Sequence, residues 1–280
     1  MKALAKRFAR DRIAVTGLAI LGLLALAAIL APVLAPYPED VATFHIERRL
    51  LPPSAEALMG TDRMGGDIFS RLLFGARATL TLTTVAVGAA LLIGVPIGLI
   101  AGYYRNWASD ALMRVSDVFL AVPQIVMAIA IGQTLGSSAE NVILALSLTY
   151  WPFWARLVFA ETRSMRNEIF VESAVALGAS AWRVMVLHIL PNIASAIIVR
   201  TAIGMGATML TAATLGFLGL GVPPPAPEWG RMIAESRQYL PDAWWYSLAP
   251  GAAIFLTVLG FNLLGDGLRD ILNARIRRRR

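Results

Sequence analysis

The chain has 280 residues, 57% of them hydrophobic and 15% charged, with a mean hydropathy of +0.65 and a net charge of +7. A soluble domain carries about 25% charged residues, so these charges are too few to coat a water-facing surface, and the chain is read as a membrane protein. There is no cysteine, the only lysines (Lys2 and Lys6) follow no glycine-rich loop, and His45 and His188 lie outside any HExxH pattern, which excludes disulfides, thiol chemistry, a P-loop and a visible set of metal ligands.

Spans are read from the distances between charges, because a charge at the bilayer centre costs about 2.5 to 3.5 kcal/mol. Residues 1–12 form a basic cytoplasmic segment. The 26 uncharged residues between Arg12 and Glu39 predict a first transmembrane helix over 13–36, too long for the core of a cleavable signal. An external segment follows over 37–77, turn-rich at Pro38, Pro52 and Pro53. Its second half predicts a short helix capped by Asp67 that lies on the membrane surface or docks an external partner. Uncharged runs of 27, 22 and 15 residues, from Arg77 to Arg105, Asp117 to Glu140 and Glu140 to Arg156, give the second, third and fourth spans. Arg156 is expected to snorkel, and Pro96, Pro123 and Pro152 are placed to kink these helices.

The stretch 161–191 is mixed in charge and helical by pattern, hence an internal loop. Asn167 is expected to cap a helix over 168–177, Gly178 to stop it in the left-handed conformation, Ser180 to cap a second helix over 181–190, and Pro191 to break the chain before the fifth span. Runs of 27 residues after Arg200 and 23 after Asp242 give the fifth and sixth spans. They are joined by a proline-rich external loop over 219–245, whose Trp229, Trp244 and Trp245 suit the headgroup boundary. Arg200, near the inner end of the fifth span, is read as snorkelling. Residues 271–280 form a basic cytoplasmic tail. With both termini inside, 17 Lys and Arg fall on the cytoplasmic side against 7 opposite, which sets the orientation and accounts for the net charge without nucleic acid. The expected fold is all-α and polytopic, with six transmembrane helices, five of them in a core over 78–270.

Four separated stretches then meet a family. Glu172-Ser-Ala-Val-Ala-Leu-Gly178, nine residues, and His188-Ile-Leu-Pro191 resemble the EAA loop of ABC importer permeases (E-A-A-x3-G-x9-I-x-L-P), with Ser173 for the first Ala and His188 for Ile. Gly60-Thr-Asp-Arg-Met-Gly-Gly-Asp67 with Ser70-Arg71 is similar to the family's GTDxxGRDxxSR, with Gly66 where Arg is usual. Phe217-Leu-Gly-Leu-Gly221 with Pro227-Glu-Trp-Gly230, and Asn262 to Asp270, complete a resemblance that covers nearly the whole chain. It points to the second permease subunit of a dipeptide/oligopeptide/nickel-type ABC importer, in the type I permease fold, in the bacterial inner membrane.

The resemblance implies that Glu172, Ser173, Ala174, Gly178, Ala179, His188, Leu190 and Pro191 couple to one or two kinds of cytoplasmic ATPase subunit, which bind the ATP and Mg; this chain binds no cofactor and is not itself catalytic. It implies a homologous second permease as heterodimer partner, and an external substrate-binding protein, for which Asp62, Asp67, Arg71, Glu228 and Trp229 are the expected surface. Gln124, Gln133, Thr208, Thr211 and Asn262 are expected to line the translocation pathway, each with an interhelical hydrogen bond as its alternative. The competing reading is an ion-coupled secondary transporter, against which the scarcity of charge inside the spans speaks. A membrane-embedded enzyme is weaker still, since no nucleophile sits beside a base.

Overall fold

The computed structural model describes residues 8–277, with side-chain surroundings described through Leu272; the expectations for residues 1–7 and for the end of the basic tail, 278–280, lie outside the described residues. Among the described residues the regular structure is helical, with one isolated antiparallel bridge between Thr61 and Asp67.

Helix α1 spans Arg12–Ile29. Asp11 caps it, its carboxylate accepting from the backbone N–H of Ile13 and Ala14, both at 3.0 Å. The single helix expected over 13–36 breaks at Leu30, and one further turn, Ala31–Leu34, follows. Pro32 lacks the N–H that would continue the ladder. Helix α2 is much longer than expected, Ile68–Tyr103, 36 residues. Asp67 caps it, accepting from Ser70 N at 2.8 Å and Ser70 Oγ at 2.7 Å. The short separate helix expected in the external segment is therefore the first turns of the second span. Arg71 does not end it, because that guanidinium is buried against Asp62.

The third span is not one straight helix. Asn106 caps α3, Trp107–Ala121, and α4, Gln124–Leu135, leaves it at 90°. Pro123 drives Val122 to an extended ψ of 133°, which ends the helix there. Helix α5, Ala139–Met165, runs past Arg156, which pairs with Asp117 of α3 at 2.5 Å. After the loop come α6 (Ile169–Ala176), α7 (Leu190–Phe217), α8 (Trp229–Ser236) and α9 (Trp244–Arg277). Among the described residues five helices are long and apolar enough to cross a membrane, and the bent pair α3–α4 makes a sixth only if counted as one span.

No hydrophobic drive pulls helices together in lipid, so close backbone approach must supply the contact. Helix α2 offers a stripe of small buried residues at every fourth position, Ala86, Ala90, Gly94, Gly98 and Gly102, to α5. A Cβ on Gly98 would lie 2.5 Å from the Ala155 carbonyl oxygen, and one on Gly102 would lie 2.7 Å from Thr162 Cβ. Ser147 on α5 adds a hydrogen bond to the Ala86 carbonyl at 3.3 Å. Helix α1 uses the same device against α9, where a Cβ on Gly17 would meet the Leu264 backbone nitrogen at 2.5 Å. The largest apolar core, around Leu146, Trp154, Ala155 and Leu215, lies between α2, α5 and α7.

Candidate functional site

Three regions carry functional groups: a knob at one end of the bundle, a cavity above it, and a cap at the other end. The knob begins where α5 stops. Its first helix, α6, is capped by Glu168 rather than by Asn167, and with no side-chain bond. The Asn167 amide oxygen is instead taken by Arg105 Nη2 at 2.7 Å. Beside it, Arg166 donates to the Tyr103 carbonyl at 2.5 Å, with its guanidinium 5.0 Å over the Tyr103 ring. These two arginines tie the knob to the end of α2.

Gly178 sits at φ +83° and closes α6 in a Schellman turn: its N–H reaches Val175 O at 2.9 Å, and the Ala179 N–H reaches Ala174 O at 3.0 Å. Ser180 accepts from Arg183 N at 3.4 Å and caps the next turn, Ala181–Arg183. The second helix expected over 181–190 differs: Val184–Ile189 is a π-helix that runs straight into α7. Pro191 therefore lies in the first turn of α7 and breaks nothing, because a proline there removes only an N–H that the wider π turn leaves free. The neighbouring His188 carbonyl accepts from Asn192 Nδ2 at 2.6 Å.

The knob has two unlike faces. Inward, Val171, Val184, Met185, Ile189 and Ile193 are buried against Leu99, Tyr103 and Val158, with Ala174 and Ala179 packed beside them. Outward, Ile169 (80%), Leu177 (88%), Trp182 (70%) and Leu187 (63%) are exposed. Of the expected coupling residues, Glu172, Ser173, Gly178 and Pro191 are exposed with them, and His188 and Leu190 are half-buried. Nothing among the described residues covers this apolar surface, which lies beside the charged side chains of the same loop. The motif drew attention to its small residues; Leu177 and Trp182, apolar side chains within a charged stretch, were the signal for the rest.

Directly above the knob, a cavity of about 760 Å³ opens between α5, α7 and the end of α9, lined by Phe153, Arg156, Glu161, Asn192, Arg200 and Arg269 among others. Arg200 lies here, its guanidinium 4.7 Å from the Phe153 ring centre. None of the five residues expected along the pathway lines this cavity. Thr208 and Thr211 are buried between helices: Thr208 donates to Gly204 O at 2.9 Å, and Thr211 shares a 2.7 Å bond with the Tyr150 hydroxyl. Gln124 is half-buried, while Gln133 and Asn262 are exposed.

At the opposite end, the five residues expected to form a surface for an external partner are buried: Asp62, Asp67, Arg71, Glu228 and Trp229. They fasten the cap to the bundle. Asp62 accepts from Met64 N at 2.7 Å and Gly66 N at 2.9 Å, and pairs with Arg71 Nε at 3.0 Å, off the N–H axis. Asp40 receives the Asp67 N–H at 2.8 Å, which draws the start of the segment onto α2. Glu228 caps α8, accepting from Gly230 N at 2.7 Å and Arg231 N at 3.1 Å. The Trp229 indole donates to Leu72 O at 3.0 Å. Polar residues in a loop read as surface, but paired across the segment they fill its interior. Among the described residues no group of three or more His, Asp or Glu is arranged to hold a metal.

Burial raises the proton affinity of Asp62, opposed by Arg71, and that of Glu228, opposed by its bonds to Gly230 and Arg231. For Glu228 the folded value lies above the ordinary 4.5, so between the two the folded chain holds more proton than the unfolded. Its contribution is fully present below that ordinary value and is lost as pH rises through the folded one. Thermal unfolding of detergent-solubilised protein at pH 4.5 and pH 8 should therefore show a smaller fall for Glu228→Gln than for the parent; parallel curves would remove this account of Glu228.

The sequence profile of the binding-protein-dependent transport system inner membrane component family matches residues 94–278, and that of the N-terminal TM domain of oligopeptide transport permease C matches residues 2–53. The chain belongs to the first of these families. Among the permease's relatives, the dipeptide transport system permease protein DppC of Alkalihalophilus pseudofirmus is 43% identical over 97% of this chain and 89% of its own. The glutathione transport system permease protein GsiD of Pectobacterium atrosepticum is 42% identical over 97% and 90%. In fold, the permease is similar to a chain of the MetNI methionine ABC transporter in an inward-facing crystal form, with a TM-score of 0.59 and 18% identity over 72% of this chain and 96% of that one. The permease is thus a multi-pass inner-membrane component of a binding-protein-dependent ABC importer of the dipeptide/oligopeptide type.

Proposed function

We propose that this permease forms half of a translocation pathway for short peptides or related small solutes, pairs with a homologous permease, and engages cytoplasmic ATPases through the knob. The observation that carries this reading is the knob's division into a buried face and an exposed apolar one. The buried face joins it to α2, α5 and α7, and the exposed face, with Glu172 and Ser173 on it, is left for another protein. A displacement of the knob is then a displacement of the bundle. The relatives that transport dipeptides and glutathione favour a cargo of that size. The chain itself performs no hydrolysis; the ATPases do.

The test is uptake into proteoliposomes. The complex should accumulate labelled trialanine only with ATP on the knob side and a binding protein on the cap side, and the purified chain alone should hydrolyse no ATP. Uptake driven by a proton or sodium gradient without ATP would overturn the reading in favour of a secondary transporter.

Orientation is tested separately, with Ser54 and Ser180 both exposed in a chain that has no cysteine. Ser54→Cys should react with an impermeant maleimide on intact cells and Ser180→Cys only after permeabilisation. External reaction of Ser180→Cys would invert the topology.

A further inference from the structure

The cavity above the knob carries more positive charge than its surroundings neutralise. Three arginines and one glutamate line it. Arg156 is held by Asp117 at 2.5 Å. Arg200 and Arg269 have no carboxylate within 4 Å among the described residues. Arg200 instead lies over Phe153, its guanidinium carbon 4.7 Å from the ring centre, a cation–π contact that places the group without using its N–H donors. That planar fork matches a carboxylate with two parallel bonds. Asn192 supplies a further polar side chain on the same wall. A volume of about 760 Å³ is that of a small-molecule site.

The position matters as much as the charge. The cavity is bounded by Met165 at the end of α5 and by Asn192 at the start of α7, the two ends of the knob. Its shape is therefore set by where the knob stands. We propose that this cavity is a release-side subsite that holds the carboxylate of a solute in transit through Arg200, before the knob's movement opens or collapses it. This rests on the import reading above and deepens it, by naming the chemical feature of the cargo that the membrane chain itself recognises. An anionic lipid headgroup shares part of that chemistry. The lining is mixed, with Glu161, Asn192 and Ser195 set among apolar side chains such as Leu157 and Val199, so the polar groups can hold the charged end of a small solute while its apolar part rests on the rest of the wall.

The test uses the assembled complex in nanodiscs without ATP or binding protein, with Ser195→Cys as the only change and modification at position 195 read by mass spectrometry of this chain. With each rate divided by that reagent's own rate with 2-mercaptoethanol in solution, a sulfonate-bearing methanethiosulfonate should react about tenfold faster than its trimethylammonium counterpart, because a cationic cavity concentrates anions. The preference should fall when Arg200→Gln is added and persist with Arg200→Lys. Trialanine should slow the reaction, and trialanine amide should not. Equal rates for the two reagents, a preference indifferent to Arg200→Gln, or equal protection by acid and amide would each overturn the proposal. So would protection that appears only when phosphatidylglycerol is included, which would assign the site to lipid. Because labelling needs no transport, failed uptake alongside the full labelling pattern would count against the import reading alone.

Discussion

Gly98→Val should leave little permease that survives extraction from the membrane, whereas Gly88→Val, on the same helix, should be stable. A Cβ at Gly88 meets nothing within 4 Å, while one at Gly98 would lie 2.5 Å from the Ala155 carbonyl oxygen and 2.7 Å from Val158 Cβ. The obstacle is backbone, and it cannot step aside without prising open the contacts at Gly94 and Gly102 as well. Overpacking of this kind costs about 1 to 3 kcal/mol where side chains can yield, and more where they cannot. At about 3 kcal/mol the unfolding temperature of a chain this size falls by roughly 6 to 12 °C. Size-exclusion after a temperature ramp in detergent measures it. A Gly98→Val protein as stable as Gly88→Val would show that the α2–α5 seam is not what holds the bundle.

The second large effect is on transport. Leu177→Asp, at a position 88% exposed, should abolish uptake at normal expression and normal assembly with the partner permease. On a solvated linker such a substitution stays within about 0.5 kcal/mol, whereas an unmatched charge in a docked interface costs several. Glu172→Lys should act in the same direction. Gly178 separates backbone from surface. Nothing lies within 4 Å of where its Cβ would be, yet its φ is +83°, so Gly178→Val suffers only from conformation. Gly178→Asn, which tolerates that region, should keep most activity, and Gly178→Val should lose it. Normal uptake by Leu177→Asp would end the claim that this face docks an ATPase.

The gaps between charges located α1, α2, α5, α7 and α9 because lipid penalises charge so heavily. The same arithmetic began the third span only after Asp117, whereas Asp110, Arg114 and Asp117 all lie along α3, a helix from which α4 leaves at 90° beside Pro123. Pro191 misled in the opposite sense: a proline reads as a break, but here the π turn over 184–189 widens the helix just before it and the chain runs on through. In the knob, Gly178 and Ser180 were legible because each acts on its own neighbours. Asn167 was not, since its partner, Arg105, is 62 residues away. The cap residues failed for the same reason. Asp40, Asp62 and Arg71 are polar in sequence and interior in space, because Asp40 is bonded to Asp67 and Arg71 some thirty residues on, and Arg71 is also paired with Asp62, nine residues before it.

The π turn makes Ala181 to Phe217 one continuous rod of 37 residues, about 55 Å at 1.5 Å per residue. One end is Trp182 on the exposed knob, and the other is Gly216, seated so tightly that a Cβ there would collide with the Glu228 carboxylate of the cap. Pivoting that rod by about 5° at one end carries the other through about 5 Å. The cap end has no slack to absorb such a swing, so a rod that stays stiff through its wide turn at 184–189 would gear the two ends of the bundle to each other. Gearing of this kind runs both ways: a load that favours one tilt at the cap must favour the same tilt at the knob, by an equal free energy.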